Sequence, residues 1–204
     1  MSRIADGLGA AGYRAVNRTY PSRKLPLEQL GAEWLPRLLL EQGAADAPRV
    51  HFVTHSMGGI MVRLWLRSCG DSLAPNLGRI VMITPPNQGS EVPDRLRGFP
   101  PFRWFTGVNG ARLGTGDDSL PRQLSLGAFP EGVELGVIAG NRPFNPLFAA
   151  WIGAESDGTV SVASTRLAGM SDHIVMPHSH TGILLSRRVI AQTLHFLREG
   201  KFAR

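Results

Sequence analysis

Apolar residues fall into short β-branched runs that alternate with longer stretches of helical spacing. The runs typical of buried strands are Tyr13–Val16, Val50–Thr54, Arg79–Thr84, Val133–Ala139 and His173–Pro177. No internal repeat or low-complexity linker interrupts the pattern. Alternating strands and helices favour a parallel sheet covered by helices. The pattern therefore predicts a single α/β domain over residues 1–204.

Capping residues and apolar stripes place four helices. A short helix near the start should stop at Gly12, and the next helix should be kinked at Pro36. The helix after Ser56 is apolar on nearly every side, so we expect it to be buried. Ser186 should cap a final amphipathic helix that ends at Gly200.

The segment from Val50 to Met61 joins a strand, a serine, two glycines and the start of a helix without a break. That order is typical of a nucleophile elbow, in which a sharp turn holds a serine hydroxyl clear of its own backbone. Gly58 would keep the helix from colliding with the strand, and the helix N-terminus would favour a developing oxyanion. Thr54 stands where the G-x-S-x-G pattern has its first glycine, so an ordinary turn at Ser56 is the alternative.

Two polar loops near the end of the chain supply a carboxylate and a histidine. Residues 155–162 form a polar turn around Asp157, and residues 178–182 follow the last short strand. A histidine just past the C-terminal end of a strand can meet a serine presented at the same edge of the sheet. The chain order Ser56, Asp157, His180 therefore predicts a serine-acid-histidine triad.

Four motifs together make the chain similar to the lipase and esterase branch of the α/β-hydrolase superfamily. They are Val53–Gly59, Thr84–Ser90, Asp157–Val160 and Ser179–Thr181, and the likeness runs from about Gly12 to Phe202. The resemblance implies a mostly parallel sheet flanked by helices, with cap material inserted at about residues 92–130. It also implies a carboxylic ester hydrolase that forms an acyl-enzyme, acts on a small-molecule or lipid ester and needs no cofactor.

The resemblance assigns a role to each residue of the constellation. Ser56 would attack the carbonyl carbon, His180 would take its proton and return it to the leaving alcohol, and Asp157 would hold the imidazole tautomer. The backbone N–H of Met57 would be one oxyanion donor, and the loop Thr84–Ser90 would border the substrate. Thioesterase, amidase and acyltransferase chemistry use the same triad, so these activities stay open, as does the oligomeric state.

Other ionisable residues near the predicted triad have weaker claims to a role in it. Asp172 precedes the histidine but lies at the opposite end of the last strand, and Glu155 shares the loop of Asp157. His55 adjoins the serine, but consecutive residues at a sharp turn point apart. We therefore expect His55 to orient or support the turn.

Two further patterns suggest other interpretations. Residues 7–12 read G-x-G-x-x-G, but a dinucleotide site needs a strand before this motif and a helix after it, and here the order is reversed. His173, His178 and His180 could be drawn as a metal cluster with Asp172, although zinc ligands usually keep a more regular spacing on a framed element. We expect neither a nucleotide nor a metal.

Composition excludes several broad classes. The chain has 43% hydrophobic and 19% charged residues, values that are ordinary for globular proteins. Its net charge is +6 and its pI is near 10.6, yet the arginines are spread out and form no nucleic-acid motif. Cys69 stands alone, so no internal disulfide can form. No apolar stretch approaches membrane-spanning length and no signal-type segment follows Met1, so we expect a cytoplasmic protein without an integral membrane segment.

The segment from residue 92 to residue 130 is rich in glycine, proline and aromatic residues. Phe99, Phe102, Trp104 and Phe105 could line an acyl pocket or a mobile cover. The alternative is that they pack the insertion against the body of the domain. The sequence leaves both interpretations open.

One feature that the resemblance implies is missing. Members of the superfamily place a strand ending in a His-Gly loop before the first helix, and that loop supplies the second oxyanion N–H. Here Met1 stands immediately before that helix, so no strand is expected between Tyr13–Val16 and Val50–Thr54. Its loss would leave unpaired backbone on both neighbours. We therefore expect an N-terminally truncated hydrolase, and an inactive relative without a complete oxyanion hole is the alternative.

Overall fold

The computed structural model describes residues 1–69, 75–96, 98, 100–125, 129 and 132–204. Its centre is a parallel sheet in which four strands follow the order β1-β2-β3-β4. The strands are β1 (Val50–His55), β2 (Leu77–Ile83), β3 (Leu135–Gly140) and β4 (Asp172–Met176). Parallel neighbours need crossover connections, and helices lie in all three of them. The α/β class predicted from the hydrophobic pattern is confirmed.

Helices precede, connect and follow the strands. Within the described residues the α-helices are α1 (Ser2–Ala10), α2 (Leu27–Gln29), α3 (Leu35–Glu41), α4 (Met57–Cys69), α5 (Glu91–Leu96), α6 (Pro100–Thr106), α7 (Leu120–Ser125), α8 (Pro146–Ile152) and α9 (Arg187–Glu199). Short 3₁₀ segments are Ala44–Asp46, Gly107–Leu113, Ala163–Thr165 and Gly182–Leu185. None of the helices in the described ranges is long and apolar enough to cross a membrane.

The core consists of two apolar clusters. One joins Ile60 of α4 and Leu30 to Phe52 of β1, and the other joins α1 and α9 to β2 and β3 through residues such as Ile138 and Phe196. All six residues of β3 are buried, as expected for a strand covered on both faces. Because the strands are parallel, their C-terminal ends meet at one edge of the sheet.

The helix expected to kink at Pro36 is interrupted in a different way. A π-helical segment, Leu30–Trp34, separates α2 from α3, and Pro36 lies in the first turn of α3. Proline has no N–H to donate, and its ring clashes with the carbonyl four residues earlier in a regular helix. The wider π turn before Pro36 removes the need for a regular helical hydrogen bond from residue 36.

Three predicted helix ends, in α1 and α9, have the expected capping residues. Gly12 follows α1 with a φ of 91°, a left-handed conformation that favours glycine. At α9 the Ser186 side chain accepts the N–H of Val189, and Gly200 follows the last turn with a φ of 73°.

The strand predicted at Tyr13–Val16 is wrong. These residues have no regular secondary structure, and Val16 is 43% exposed. A strand needs a hydrogen-bonding neighbour, and within the described residues β1 pairs only with β2. Residues 13–17 and the first half of β1 line a common cavity of about 650 Å³. β1 is therefore an edge strand, open on the side where the sequence places no neighbour.

The insertion expected at residues 92–130, called the excursion below, lies in the connection from β2 to β3. It contains α5, α6, a 3₁₀ segment and α7. Trp104 is 74% exposed, and the Arg23 guanidinium, from the segment before α2, lies over its ring at 5.1 Å from the centroid. Phe99 and the side chains of Phe102 and Phe105 lie outside the described residues. The role of this segment as a cap stays a prediction.

Candidate active site

The turn at Ser56 connects β1 directly to α4. Ser56 has a φ of 52°, in the left-handed region that residues other than glycine rarely adopt. Its N–H donates to the carbonyl oxygen of Ile83, the last residue of β2, at 2.9 Å. Sheet pairing on one side and the buried helix on the other hold this strained conformation.

Gly59 lets α4 begin close to the sheet. A Cβ at this position would lie 3.1 Å from Pro85 Cβ and 3.2 Å from Met82 Sδ. At Gly58, which the sequence pattern indicated instead, the nearest atom would be Thr54 Cβ at 3.5 Å, an ordinary contact distance. The close approach is therefore to the end of β2, rather than to the strand that the helix has just left.

The structure brings Ser56, His180 and Asp157 together at the C-terminal edge of the sheet. Ser56 follows β1, Asp157 lies between β3 and β4, and His180 lies in the loop after β4. Ser56 Oγ is 3.0 Å from His180 Nε2, and His180 Nδ1 is 2.7 Å from Asp157 Oδ2. The Asp157 side chain has no exposed surface, and that of His180 is 14% exposed. These distances allow a proton to pass from the hydroxyl to the imidazole.

Backbone amides hold the Asp157 carboxylate. Its Oδ1 accepts the N–H groups of Thr159 and Val160, both at 2.8 Å, which leaves Oδ2 directed at His180. The His180 N–H also donates to the Asp157 carbonyl oxygen at 3.0 Å. A buried carboxylate is stable as an anion only when it is hydrogen-bonded. The turn therefore presents an oriented oxygen to His180 Nδ1–H and leaves Nε2 free to accept a proton.

His55 supports the loop that carries His180. Its Nε2 lies 2.8 Å from the carbonyl oxygen of His180, and the centroids of the two rings are 4.8 Å apart. Burial, together with the nearby charge of His180, lowers the pKa of His55 to about 4. The ring is thus neutral at neutral pH, and its Nε2–H is the donor in this hydrogen bond.

The other carboxylates near the end of the chain bond elsewhere. Asp172 begins β4, at the far end of that strand from His180, and accepts from Phe202 N–H at 2.9 Å and Arg204 Nη2 at 2.6 Å. Glu155 is exposed and accepts from a neighbouring asparagine amide at 2.7 Å. Asp157 is the carboxylate within hydrogen-bond distance of the histidine.

The histidines near the end of the chain have separate partners. His173 Nε2 lies 3.0 Å from Thr165 Oγ1, whereas His180 contacts the serine and the aspartate. In the part of the chain that the structure describes, no three His, Cys, Asp or Glu side chains are grouped to hold a metal ion. The glycine motif at residues 7–12 lies at the end of α1 instead of opening a helix.

Comparison with solved structures places this arrangement among known folds. The mature lipase BlEst2 of Bacillus licheniformis matches 97% of this chain and 83% of its own, with a TM-score of 0.70 and 18% identity. Phospholipase PlaB of Legionella pneumophila matches 80% of this chain with a TM-score of 0.64 and 20% identity. The metagenomic carboxyl esterase MGS0156 matches 70% with a TM-score of 0.51 and 21% identity.

The fold is that of the α/β-hydrolases. The chain spans 42% of the length of PlaB and 49% of that of MGS0156. No protein-family model matches the chain, and no curated protein sequence matches it. At these identities the likeness establishes the fold, and the roles of individual residues rest on the geometry of this chain.

Met57 is the first residue of α4, directly after Ser56. Its N–H therefore has no partner within the helix. It also lies at the positive end of the helix dipole, which favours negative charge. The position suits an oxyanion donor, and this role stays a prediction.

Arg63 and Asn87 form a buried polar contact that the sequence pattern did not indicate. Arg63 Nη1 donates to the Asn87 carbonyl oxygen at 2.9 Å and to its Oδ1 at 3.2 Å, and Nη2 donates to Ser125 Oγ at 3.0 Å. Asn87 Nδ2 donates to the Thr165 carbonyl oxygen at 2.8 Å. Burial lowers the pKa of Arg63 to about 10, which leaves it charged at neutral pH. The signal in the sequence is one arginine near the middle of an otherwise apolar helix segment.

Thr84 is a second strained residue at the C-terminal edge of the sheet. It has a φ of 46°, unusual for a β-branched residue. The register pairs His55 with Ile83, so Thr84 lies beside Ser56. Its buried hydroxyl has no hydrogen-bond partner among the described residues. Backbone strain of this kind clusters at functional sites.

Proposed function

We propose that the protein is a serine hydrolase that cleaves carboxylic esters through an acyl-enzyme. The observation that carries the proposal is the hydrogen-bonded series from Ser56 Oγ through His180 to Asp157, at 3.0 and 2.7 Å. The series begins at a strained turn that holds the half-buried Ser56 at the edge of the sheet. A nucleophile, a base and an oriented acid in this geometry are what acyl transfer requires.

Acylation uses the three side chains in sequence. Ser56 Oγ attacks the ester carbonyl carbon while its proton moves to His180 Nε2, and the resulting imidazolium is stabilised by Asp157. The carbonyl oxygen becomes an oxyanion near the Met57 N–H. His180 then protonates the leaving alcohol as its bond to carbon breaks, so the acyl group stays on Ser56.

Deacylation repeats the same steps with water. His180 Nε2 takes a proton from water as its oxygen attacks the acyl carbon. The proton is then returned to Ser56 Oγ, and the carboxylic acid leaves. Each turnover consumes one ester and one water, and needs neither a metal nor a cofactor.

The substrate class that fits best is a small-molecule or lipid ester. The similar structures are described as a lipase, a phospholipase and a carboxyl esterase. The exposed Trp104 lies in the excursion after β2, which leaves the sheet at the same edge as Ser56. We place the acyl chain between this excursion and the elbow.

A non-catalytic protein with the same fold is the second candidate. β1 is an edge strand whose open side faces a cavity, and Met57 N–H is the single oxyanion donor assigned in the chain. Loss of one donor from an oxyanion hole typically lowers turnover by about 10²- to 10³-fold. This candidate predicts an ordered triad without measurable ester cleavage.

Release of p-nitrophenol from short-chain p-nitrophenyl esters separates the two candidates. We expect a burst from acylation of Ser56, followed by slower turnover, and loss of both phases in Ser56→Ala. Ser119→Ala is the control, since Ser119 is a buried serine of the excursion whose hydroxyl has no partner among the described residues. Equal rates for wild type and Ser56→Ala would refute the serine mechanism, and a folded wild type without either phase would favour the non-catalytic candidate.

A further inference from the structure

The loop of residues 84–90, after β2, contacts both the helix that follows the nucleophile and the turn that carries the acid. It begins at the strained Thr84 and contains the buried residues Asn87 and Ser90. Neither of these two side chains takes part in the proposed steps of ester cleavage. Their hydrogen bonds lead to the Asp157 turn.

Ser90 holds the peptide group that orients the carboxylate. Its Oγ–H donates to the Thr159 carbonyl oxygen at 2.5 Å. The N–H of that same peptide group belongs to Val160, which donates to Asp157 Oδ1 at 2.8 Å. A carbonyl that accepts a hydrogen bond makes the N–H of its peptide group a stronger donor. Ser90 therefore fixes both the place and the strength of one contact to Asp157.

Asn87 and its neighbour hold the other end of the acid segment. Asn87 Nδ2 donates to the Thr165 carbonyl oxygen at 2.8 Å, and the Gln88 N–H donates to the Ser164 carbonyl oxygen at 2.9 Å. Both acceptors belong to the 3₁₀ segment that follows the Asp157 turn. The segment from Asp157 to Thr165 is thus bound at both ends by one loop.

Arg63 ties this loop to the helix of the nucleophile. Its guanidinium bonds both oxygens of Asn87, and it lies about two helical turns beyond Ser56. No carboxylate pairs with it in the described ranges. A buried charge without a counter-ion destabilises the fold. The hydrogen bonds of Arg63 must therefore offset this cost.

We propose that Arg63, Asn87 and Ser90 are positioning residues that keep the Asp157 turn aligned with Ser56. The inference rests on the proposed function of Asp157 and His180. Without these contacts the serine and the acid would be joined mainly through His180, and the carboxylate would lose its fixed distance to the imidazole. Loss of these contacts should slow the chemical step, whereas the affinity for substrate should not change.

Ser90→Ala and Ser119→Ala form a matched pair for the test. Both serines are 2% exposed, and only Ser90→Ala loses hydrogen bonds, one to the Thr159 carbonyl oxygen and a longer one of 3.3 Å from the Val92 N–H. With active sites counted by fluorophosphonate titration, we expect kcat on p-nitrophenyl butyrate to fall about 10- to 100-fold in Ser90→Ala with little change in KM. Ser119→Ala should keep the wild-type kcat, and Ser90→Thr, which retains the hydroxyl, should recover part of the loss.

A second readout does not depend on turnover. The proton between His180 Nδ1 and Asp157 should give a far-downfield proton NMR resonance in the wild type and in Ser119→Ala. The resonance should broaden or vanish in Ser90→Ala. If Ser90→Ala does not fold, Arg63→Lys serves instead, because it keeps the charge but loses the forked guanidinium that donates to Asn87 and Ser125 through two different nitrogens.

The outcomes separate the two proposals. A wild type that shows the resonance and its loss in Ser90→Ala, yet cleaves no ester, would remove the proposed function and leave the positioning role. A downfield resonance and a kcat that are unchanged in Ser90→Ala, or that change equally in Ser119→Ala, would overturn the positioning role alone. A wild type without the resonance would also overturn it, because no held proton would then exist.

Discussion

His55 donates from Nε2 to the carbonyl oxygen of His180 at 2.8 Å. The residue before Ser56, the proposed nucleophile, thus holds the backbone of His180, the proposed general base. The turn at Ser56 and the loop after β4 are joined at two points, through this bond and through the bond between Ser56 Oγ and His180 Nε2. The position of His180 relative to Ser56 is therefore held by the His55 hydrogen bond as well as by the contact between Ser56 Oγ and His180 Nε2.

Replacement of His55 by phenylalanine should keep a ring against His180 but remove the donor. A neutral hydrogen bond contributes about 0.5–1.5 kcal/mol, so kcat/KM should fall about 2- to 13-fold. Glutamine, whose amide nitrogen can lie near the position of Nε2, should recover part of the activity. Steady-state kinetics on one p-nitrophenyl ester checks both variants, and wild-type activity in His55→Phe would contradict the supporting role.

The two aspartates near the end of the chain should respond differently to the same change. Asp157→Asn removes the charge that orients and stabilises the imidazolium, so kcat should fall by about 10³- to 10⁴-fold while the fold is kept. Asp172→Asn should leave kcat within a few-fold and lower the melting temperature, since Asp172 bonds the backbone at Phe202 and the side chain of Arg204. The reverse ranking in kinetics and thermal unfolding would mean that Asp157 is not the acid.

Gly140 leaves room for the acid. A Cβ at this position would lie 2.5 Å from the His178 carbonyl oxygen and 2.8 Å from Asp157 Cβ. Gly140→Ala should displace the Asp157 turn, lower kcat by about 10²-fold and destabilise the fold by about 1–3 kcal/mol.

Gly9→Ala is the control for that substitution. A Cβ on Gly9 would meet no atom within 4 Å, and the position is helical, so activity should be unchanged and stability equal or up to about 1 kcal/mol higher. Urea unfolding and ester hydrolysis measured on both variants provide the comparison. Full activity in Gly140→Ala would show that the site tolerates a shifted acid.

Stability should fall below neutral pH because of buried neutral histidines. Burial lowers the pKa of both His55 and His173 to about 4, whereas an unfolded histidine titrates near about 6.5. Between these values the unfolded state binds more protons, so the free energy of unfolding rises with pH. The contribution of the two histidines to stability is complete above about pH 6.5.

The expected slope is at most about 1.4 kcal/mol per pH unit for each histidine, and less for His173, which is only partly buried. Urea unfolding between about pH 4.5 and about pH 7.5, which covers most of the interval between the folded and unfolded pKa values, measures it. His173→Gln should make the dependence shallower. A protein that is most stable at the acid end would contradict this explanation.

The sheet and the candidate triad could be predicted from the sequence because local patterns encode them. The apolar runs at β1 and β3 and the order of Ser56, Asp157 and His180 place the loops at one edge of a parallel sheet. The strand expected at Tyr13–Val16 failed because a β-branched pattern forms a strand only when a neighbour supplies hydrogen bonds. Whether such a neighbour is present depends on the whole sheet and not on the local pattern.

Contacts between distant loops could not be predicted in the same way. Arg63 meets Asn87, and Ser90 meets Thr159, only once the loops are folded against each other. Single polar residues in apolar surroundings, such as Arg63 in α4, were the available signal. The π segment before Pro36 was likewise hidden, because a proline indicates a disturbance of the helix but not its form.

Reaction with a fluorophosphonate probe tests the central claim most directly, because stable phosphonylation requires a serine activated by its base. Intact mass spectrometry followed by peptide mapping should find one adduct, on Ser56, in the folded wild type. The adduct should be absent in Ser56→Ala and strongly reduced in His180→Ala, and Ser119→Ala should label like the wild type. No adduct on a folded wild type, or an adduct that persists in Ser56→Ala, would contradict the claim that Ser56, His180 and Asp157 form a working nucleophilic site.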